Sequence, residues 1–177
     1  FTDDDLSIAN GAGEINVGSD ITGLIVFRDQ LIIFCLNKIL RLTGNTVADF
    51  SLQPITNDIG CIESDTIQEV GGDIIFMGPD GLRTLSATDR FGDFGLEAAS
   101  KPIQENYTTF KNNASSFSSL VIPSKAQYRI FGFSTTERQA VSRGLLATKF
   151  IDQGGSGLNW SELRGFKVFV ADSQSVG

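Results

Sequence analysis

Three acidic residues, Asp89, Asp93 and Glu97, stand four apart in the segment DRFGDFGLE. Two carboxylates are enough for glycoside hydrolysis, so this is the place where the sequence comes nearest to an active site. The plainer reading is that acids in a loop cap turns and face water, and we expect no hydrolase activity to depend on Asp93. Their spacing also differs from that of a calcium-binding EF-hand loop. The run Asp3-Asp4-Asp5 reads as a solvated tail. Other chemistry is excluded more firmly. The chain contains no histidine, which removes Ser-His-Asp and Cys-His catalysis and histidine-ligated metals. Two lone cysteines, Cys35 and Cys61, are too few for a structural zinc site. Cys35 reads as a small buried hydrophobe, and a Cys35–Cys61 disulfide stays open. No Gly-rich phosphate loop joins a strand to a helix. We therefore expect no catalytic residue, no metal and no cofactor.

Composition narrows the remaining classes. At 177 residues and 41% hydrophobic the chain can build a real core. Phe is over-used at 14 copies, whereas Trp and Tyr number one and two. A net charge of −7 with scattered basic residues argues against a sequence-independent grip on nucleic acid. The longest apolar run, residues 31–36, is too short to cross a bilayer, so no membrane partner is expected. The chain starts at Phe1 rather than Met, and the expectation is a processed chain or a piece of a longer protein.

The elements that would position any site come from an internal repeat. Residues 24–42 (LIVFRDQLIIFCLNKILRL) lie over residues 67–85 (IQEVGGDIIFMGPDGLRTL) without a gap. Leu24 falls on Ile67, Phe27 on Val70, Leu31 on Ile74, Ile33 on Phe76, Ile39 on Leu82 and Leu42 on Leu85. The turn Asn37-Lys38 falls on Asp80-Gly81. A strand-built repeat of about 40–50 residues is the signature of a β-propeller. The predicted fold is all-β, in propeller blades of four-stranded antiparallel sheets. Residues 1–20 are a linker or N-terminal arm. Residues 21–177 form the propeller segment, with blades at about 21–57, 58–107 and 115–164 and a further blade opening at 165–177.

Within the first blade, strands are expected at 21–27, 31–36, 38–43 and 50–55. The second has strands at 64–70, 73–77 and 82–87, then a long excursion over 88–104. The third has 118–122, 127–133, 144–151 and 158–163, with a long turn at 134–143 and a loop at 152–157. Helix is expected only as single turns near 97–101 and 105–111. Closed propellers need about four to eight blades, so three and a half make an incomplete propeller or a fragment.

The segments 23–42, 59–61 and 64–87 (with the GPDG turn), followed by Arg90–Phe94 and Lys101-Pro102-Ile103, resemble β-propeller proteins in the virions of tailed bacteriophages, of the tail hub and nozzle type. The resemblance implies a non-enzymatic virion structural protein at a tail nozzle, hub or connector. It implies a homo-oligomeric ring, with other copies of the chain and other virion tail proteins as partners. DNA would pass nearby, and an acidic channel would let it slide. Contact residues are expected in the loops that depart from the plain blade: Arg90, Phe91 and Phe94 in the second repeat, Glu137 and Arg138 in the third. A ligand-binding alternative, a carbohydrate-binding propeller at a fibre or baseplate, would use Trp160 and Tyr107 for stacking.

Overall fold

The computed structural model describes residues 14–46, 49–91, 98–134, 143–152, 155–165 and 168. Three antiparallel sheets follow one another along the chain. The first contains β1 (Ile21–Phe27), β2 (Gln30–Cys35), β3 (Ile39–Thr43) and β4 (Ser51–Thr56), paired in that order. The second contains β5 (Gln68–Val70), β6 (Asp73–Met77) and β7 (Leu82–Thr84). After it come two helices, α1 (Leu85–Phe91) and α2 (Gln104–Asn112). The third contains β8 (Ser116–Ile122), β9 (Gln127–Phe133), β10 (Arg143–Asp152) and β11 (Gly155–Leu163), again in chain order. The all-β class is therefore observed.

The repeat seen in the sequence is the same hydrogen-bonded unit built twice. Phe27 pairs with Gln30 and, at the offset that carries 24 onto 67, Val70 pairs with Asp73. Phe34 pairs with Ile39, and Met77 with Leu82. The inner turns match too: Cys35 N–H donates to Lys38 O at 2.9 Å, and Gly78 N–H to Gly81 O at 2.8 Å. Both first hairpins close through two residues of positive φ, Arg28 (50°) and Asp29 (61°) in one, Gly71 (56°) and Gly72 (78°) in the other. That is the type I′ geometry, whose twist suits a two-residue hairpin and which glycine adopts without steric cost.

The sheets stack face to face. Strand β6 is buried along its whole length, so both faces are covered. Ile74 and Phe76 pack with Ile32, Phe34 and Ile39 of the first sheet, and Phe34 and Phe76 meet at 5.1 Å between ring centroids. Such tilted pairs contribute about 0.5–1.5 kcal/mol beyond their area. Ile75 and Met77 point the other way, into a core with Phe117, Tyr128, Ile130 and Leu145 of the third sheet. Alternation along one strand thus serves two interfaces.

Several expectations are corrected. The second sheet has three strands, not four. Residues 85–91 form α1 where the strand 82–87 was expected to run on. The cause is tertiary: Asp73, on β6, accepts N–H bonds from Ile74 (2.8 Å) and Ser86 (3.0 Å) and a hydroxyl bond from Ser86. A carboxylate there satisfies the unpaired amides of a first helical turn. Helix α2 spans nine residues rather than one turn, because Tyr107 and Phe110, three apart on one face, both enter the core. Residues 64–66 form a 3-10 turn rather than the start of a strand. The expected loop at 152–157 is shorter, since β10 and β11 stay paired out to Asp152 and Gly155.

Cys35 and Cys61 are free thiols, joined only through the backbone, where Cys61 N–H donates to Cys35 O at 2.9 Å. Their side chains belong to clusters on opposite faces of the first sheet, which rules out the disulfide. Burial pushes both thiols above the ordinary range.

Candidate functional site

The seam between the second and third sheets carries the polar chemistry. Tyr128, fully buried on β9, donates its hydroxyl to Thr66 O at 2.9 Å. Ser119, on β8, donates to Asp65 O at 2.5 Å. Thr66 Oγ1 donates to Glu63 O at 2.6 Å and accepts from Met77 N–H at 3.1 Å. The 3-10 turn is thus held from both sheets at once. Beside it Cys61 Sγ donates to Glu63 O at 3.2 Å. Glu63 is the acid pushed upward, first by burial and then by neighbouring Asp65.

At one end of this seam the sheets part and leave a cleft of about 660 Å³. That volume falls within the usual range for small-ligand sites. Val70 and Ile75 line one wall, Leu158 and Trp160 the other, with Asp73 and Lys149 between them. Both charged groups are already engaged. Asp73 caps α1 as described, and Lys149 Nζ donates to Gly71 O at 2.9 Å. Arg28, from the first hairpin, donates to the adjacent Gly72 O at 2.9 Å. One Gly-Gly turn therefore ties a cation from each neighbouring sheet. Trp160 is half-buried, and its indole N–H donates to Ala99 O at 2.9 Å, which fixes the ring. Chemically the cleft can hold an apolar or ring-bearing molecule against Trp160. It contains no histidine, and its one carboxylate is occupied.

No protein-family model and no curated protein matches this chain. The site must therefore be read from its own residues. Among the described residues no three His, Cys, Asp or Glu side chains gather closely enough to hold a metal ion. No helix among them is long and apolar enough to cross a membrane.

Most of the residues expected to do chemistry or make contacts fall outside what the structure describes. Arg90 and Phe91 end α1 rather than lying on a loop, and their side chains fall outside the described residues, as does that of Asp89. Phe94, Glu137 and Arg138 lie outside the described residues, with Asp93 and Glu97. Of the two stacking candidates, Trp160 lines the cleft. Tyr107 does not: it is 1% exposed in the core, and no sugar can reach it. Asp73 and Lys149 carried no warning in the sequence beyond an acid after a Gly-Gly turn and a lysine in a strand. Only the stacking of sheets joins them.

Proposed function

We propose that this chain is a non-enzymatic structural component of a tailed-phage virion, a segment of β-propeller in a tail nozzle, hub or connector. The observation that carries the reading is the stack itself. One hairpin unit, kept in register, is laid face to face on its own repeat and then on a third sheet, as successive blades would be. The charged groups around the cleft support it too, since they are spent on holding turns and a helix end rather than left for a substrate. The phage setting comes from the resemblance of residues 23–42 and 59–87 to blades of virion propellers. In that setting the chain works by packing and by contact with further copies of itself and other tail proteins. An acidic chain of net charge −7 leaves passing DNA unbound.

Mass spectrometry of purified tailed particles from the source of this sequence tests the reading. Peptides of this chain should co-purify with intact particles at a constant ratio to the other tail proteins. Their confinement to the soluble fraction would overturn it. A second reading, a carbohydrate-binding propeller, is favoured by the placement of Trp160 in the 660 Å³ cleft. A glycan array discriminates: binding lost in Trp160→Ala supports the lectin reading, and a flat array removes it.

A further inference from the structure

The turn over residues 78–81 holds the one Asp-Gly step in the chain, Asp80-Gly81. Packing dictates the glycine. A Cβ at Gly81 would lie 2.4 Å from Ala98 Cβ and 2.6 Å from Ser100 Oγ. The first sheet closes the same turn with other residues: under the repeat, Asn37 and Lys38 stand where Asp80 and Gly81 stand in the second. A glycine after an acid has a chemical consequence. With no side chain to shield it, the amide nitrogen of Gly81 can reach the Asp80 carboxyl carbon.

In that reaction the nitrogen attacks the protonated carboxyl. A C–N bond forms at Cγ, the nitrogen's proton leaves with the carboxyl's hydroxyl as water, and a five-membered succinimide remains. Water then adds to one imide carbonyl and breaks its bond to nitrogen. Opening at the main-chain carbonyl gives isoaspartate, of unchanged mass; opening at the other restores aspartate. The structure opposes the first step in two ways. Arg83, its side chain 10% exposed, holds both carboxyl oxygens, at 2.9 and 2.7 Å. A paired guanidinium favours the ionised form, which has no hydroxyl to lose. Gln104 Nε2, at the start of α2, donates to Asp80 O at 3.1 Å, and Gly78 N–H donates to Gly81 O at 2.8 Å. Together they pin the peptide plane that carries the attacking nitrogen. Lys111 Nζ adds a bond to Pro79 O at 2.8 Å.

We propose that Asp80-Gly81 is a self-modification site, converting to isoaspartate at a rate set by the clamp of Arg83 and Gln104. Both clamp residues act by position: one holds the carboxylate ionised, the other holds the peptide plane away from it. Isoaspartate places an extra methylene in the main chain of a four-residue turn. The turn then loses its bonds to Gln104 and Lys111, and with them its tie to α2. The site stands independently of the virion reading.

Ageing the 177-residue chain at neutral pH, with isoaspartate counted by peptide mass spectrometry using electron-transfer fragmentation, tests this. A synthetic peptide of residues 77–84 gives the unclamped rate. The folded chain should form isoaspartate at Asp80 about tenfold or more slowly than the peptide, since the turn must open first. Arg83→Gln should raise that rate roughly two- to fivefold, the range expected for a half-exposed pair. Gln104→Ala should raise it too. Asn10-Gly11, outside the described residues, serves as the internal reference and should age alike in every variant. Far-UV circular dichroism checks folding, and Arg83→Lys, which keeps the charge but not the paired bonds, replaces Arg83→Gln if that variant fails to fold. Gly60→Ala separates the clamp from general stability: it weakens the fold away from this turn and should leave the Asp80 rate unchanged. Three results overturn the proposal: a wild-type chain that ages at the peptide's rate, clamp variants that age like wild type, or a rise in Gly60→Ala equal to theirs.

Discussion

The two tyrosines should respond in opposite directions to the same substitution. Tyr128 and Tyr107 are both buried in the core between the second and third sheets, at 0% and 1% exposure. Tyr128 donates to Thr66 O at 2.9 Å, whereas the Tyr107 hydroxyl has no partner among the described residues. Tyr128→Phe leaves a buried carbonyl short of a donor, which costs about 1–3 kcal/mol. Tyr107→Phe removes a hydroxyl that was desolvated without return, a gain of about 1–2 kcal/mol on the same scale. Each change also opens a void of roughly 10 Å³, and at about 24 cal/mol per Å³ that subtracts only about 0.2 kcal/mol. The gap between the variants should thus be about 3 kcal/mol. For a chain of this size that is roughly 6–12 °C in Tm, with Tyr128→Phe below wild type and Tyr107→Phe above it. Urea unfolding followed by the single Trp160, which sits on the same seam, measures the difference. Equal shifts in the two variants, or a clear loss of stability in Tyr107→Phe, would refute the assignment of which hydroxyl is paired.

Three further outcomes follow from the same geometry. Burial pushes both phenols, the only two in the chain, well above the usual tyrosine range. Their contribution to stability is then complete below about pH 10 and is lost as pH rises beyond it, so phenolate absorbance should appear only together with unfolding; a non-cooperative rise near pH 10 would contradict the burial. Asp80 is pushed up by partial burial but held below the usual carboxylate range by its paired bonds to Arg83 (2.9 and 2.7 Å) and by Lys111. That stability is present above about pH 4 and lost as pH falls further, and Asp80→Asn should flatten the acid limb of a Tm-versus-pH curve by under about 1 kcal/mol, since the pair is half-exposed. Gly60→Ala should destabilise by about 1–3 kcal/mol or more, because its Cβ would come within 2.2 Å of Cys35 O and 2.3 Å of Leu36 O, both backbone atoms; an unchanged urea midpoint would refute the close approach.

What could be read in advance was local. The offset of 24 onto 67 was visible because apolar positions recur wherever the same hairpin buries the same faces. The turns at 28–29, 71–72 and 78–81 were visible because a two-residue reversal and a GPDG turn have their own residue chemistry. The strand 127–133 was found to the residue. The failures lie where one unit acts on another. Residues 82–87 read as one strand, yet from Leu85 the chain turns into helix because Asp73, from β6, meets Ser86. Tyr107 looks available for stacking in the sequence and becomes core because α2 is pressed against the third sheet.

The sequence by itself determined the unit, its register and its turns, since hydrophobic alternation and turn propensity act over a few residues. It also determined what chemistry is missing, since a chain without histidine has none to place. The tertiary structure alone decided which face of each unit meets which. It sent Ile74 and Phe76 of one strand to the first sheet and Ile75 and Met77 to the third, and it left Leu24 and Val26 uncovered. Those outcomes depend on distances between residues far apart in the chain, and no local pattern of residue types encodes them.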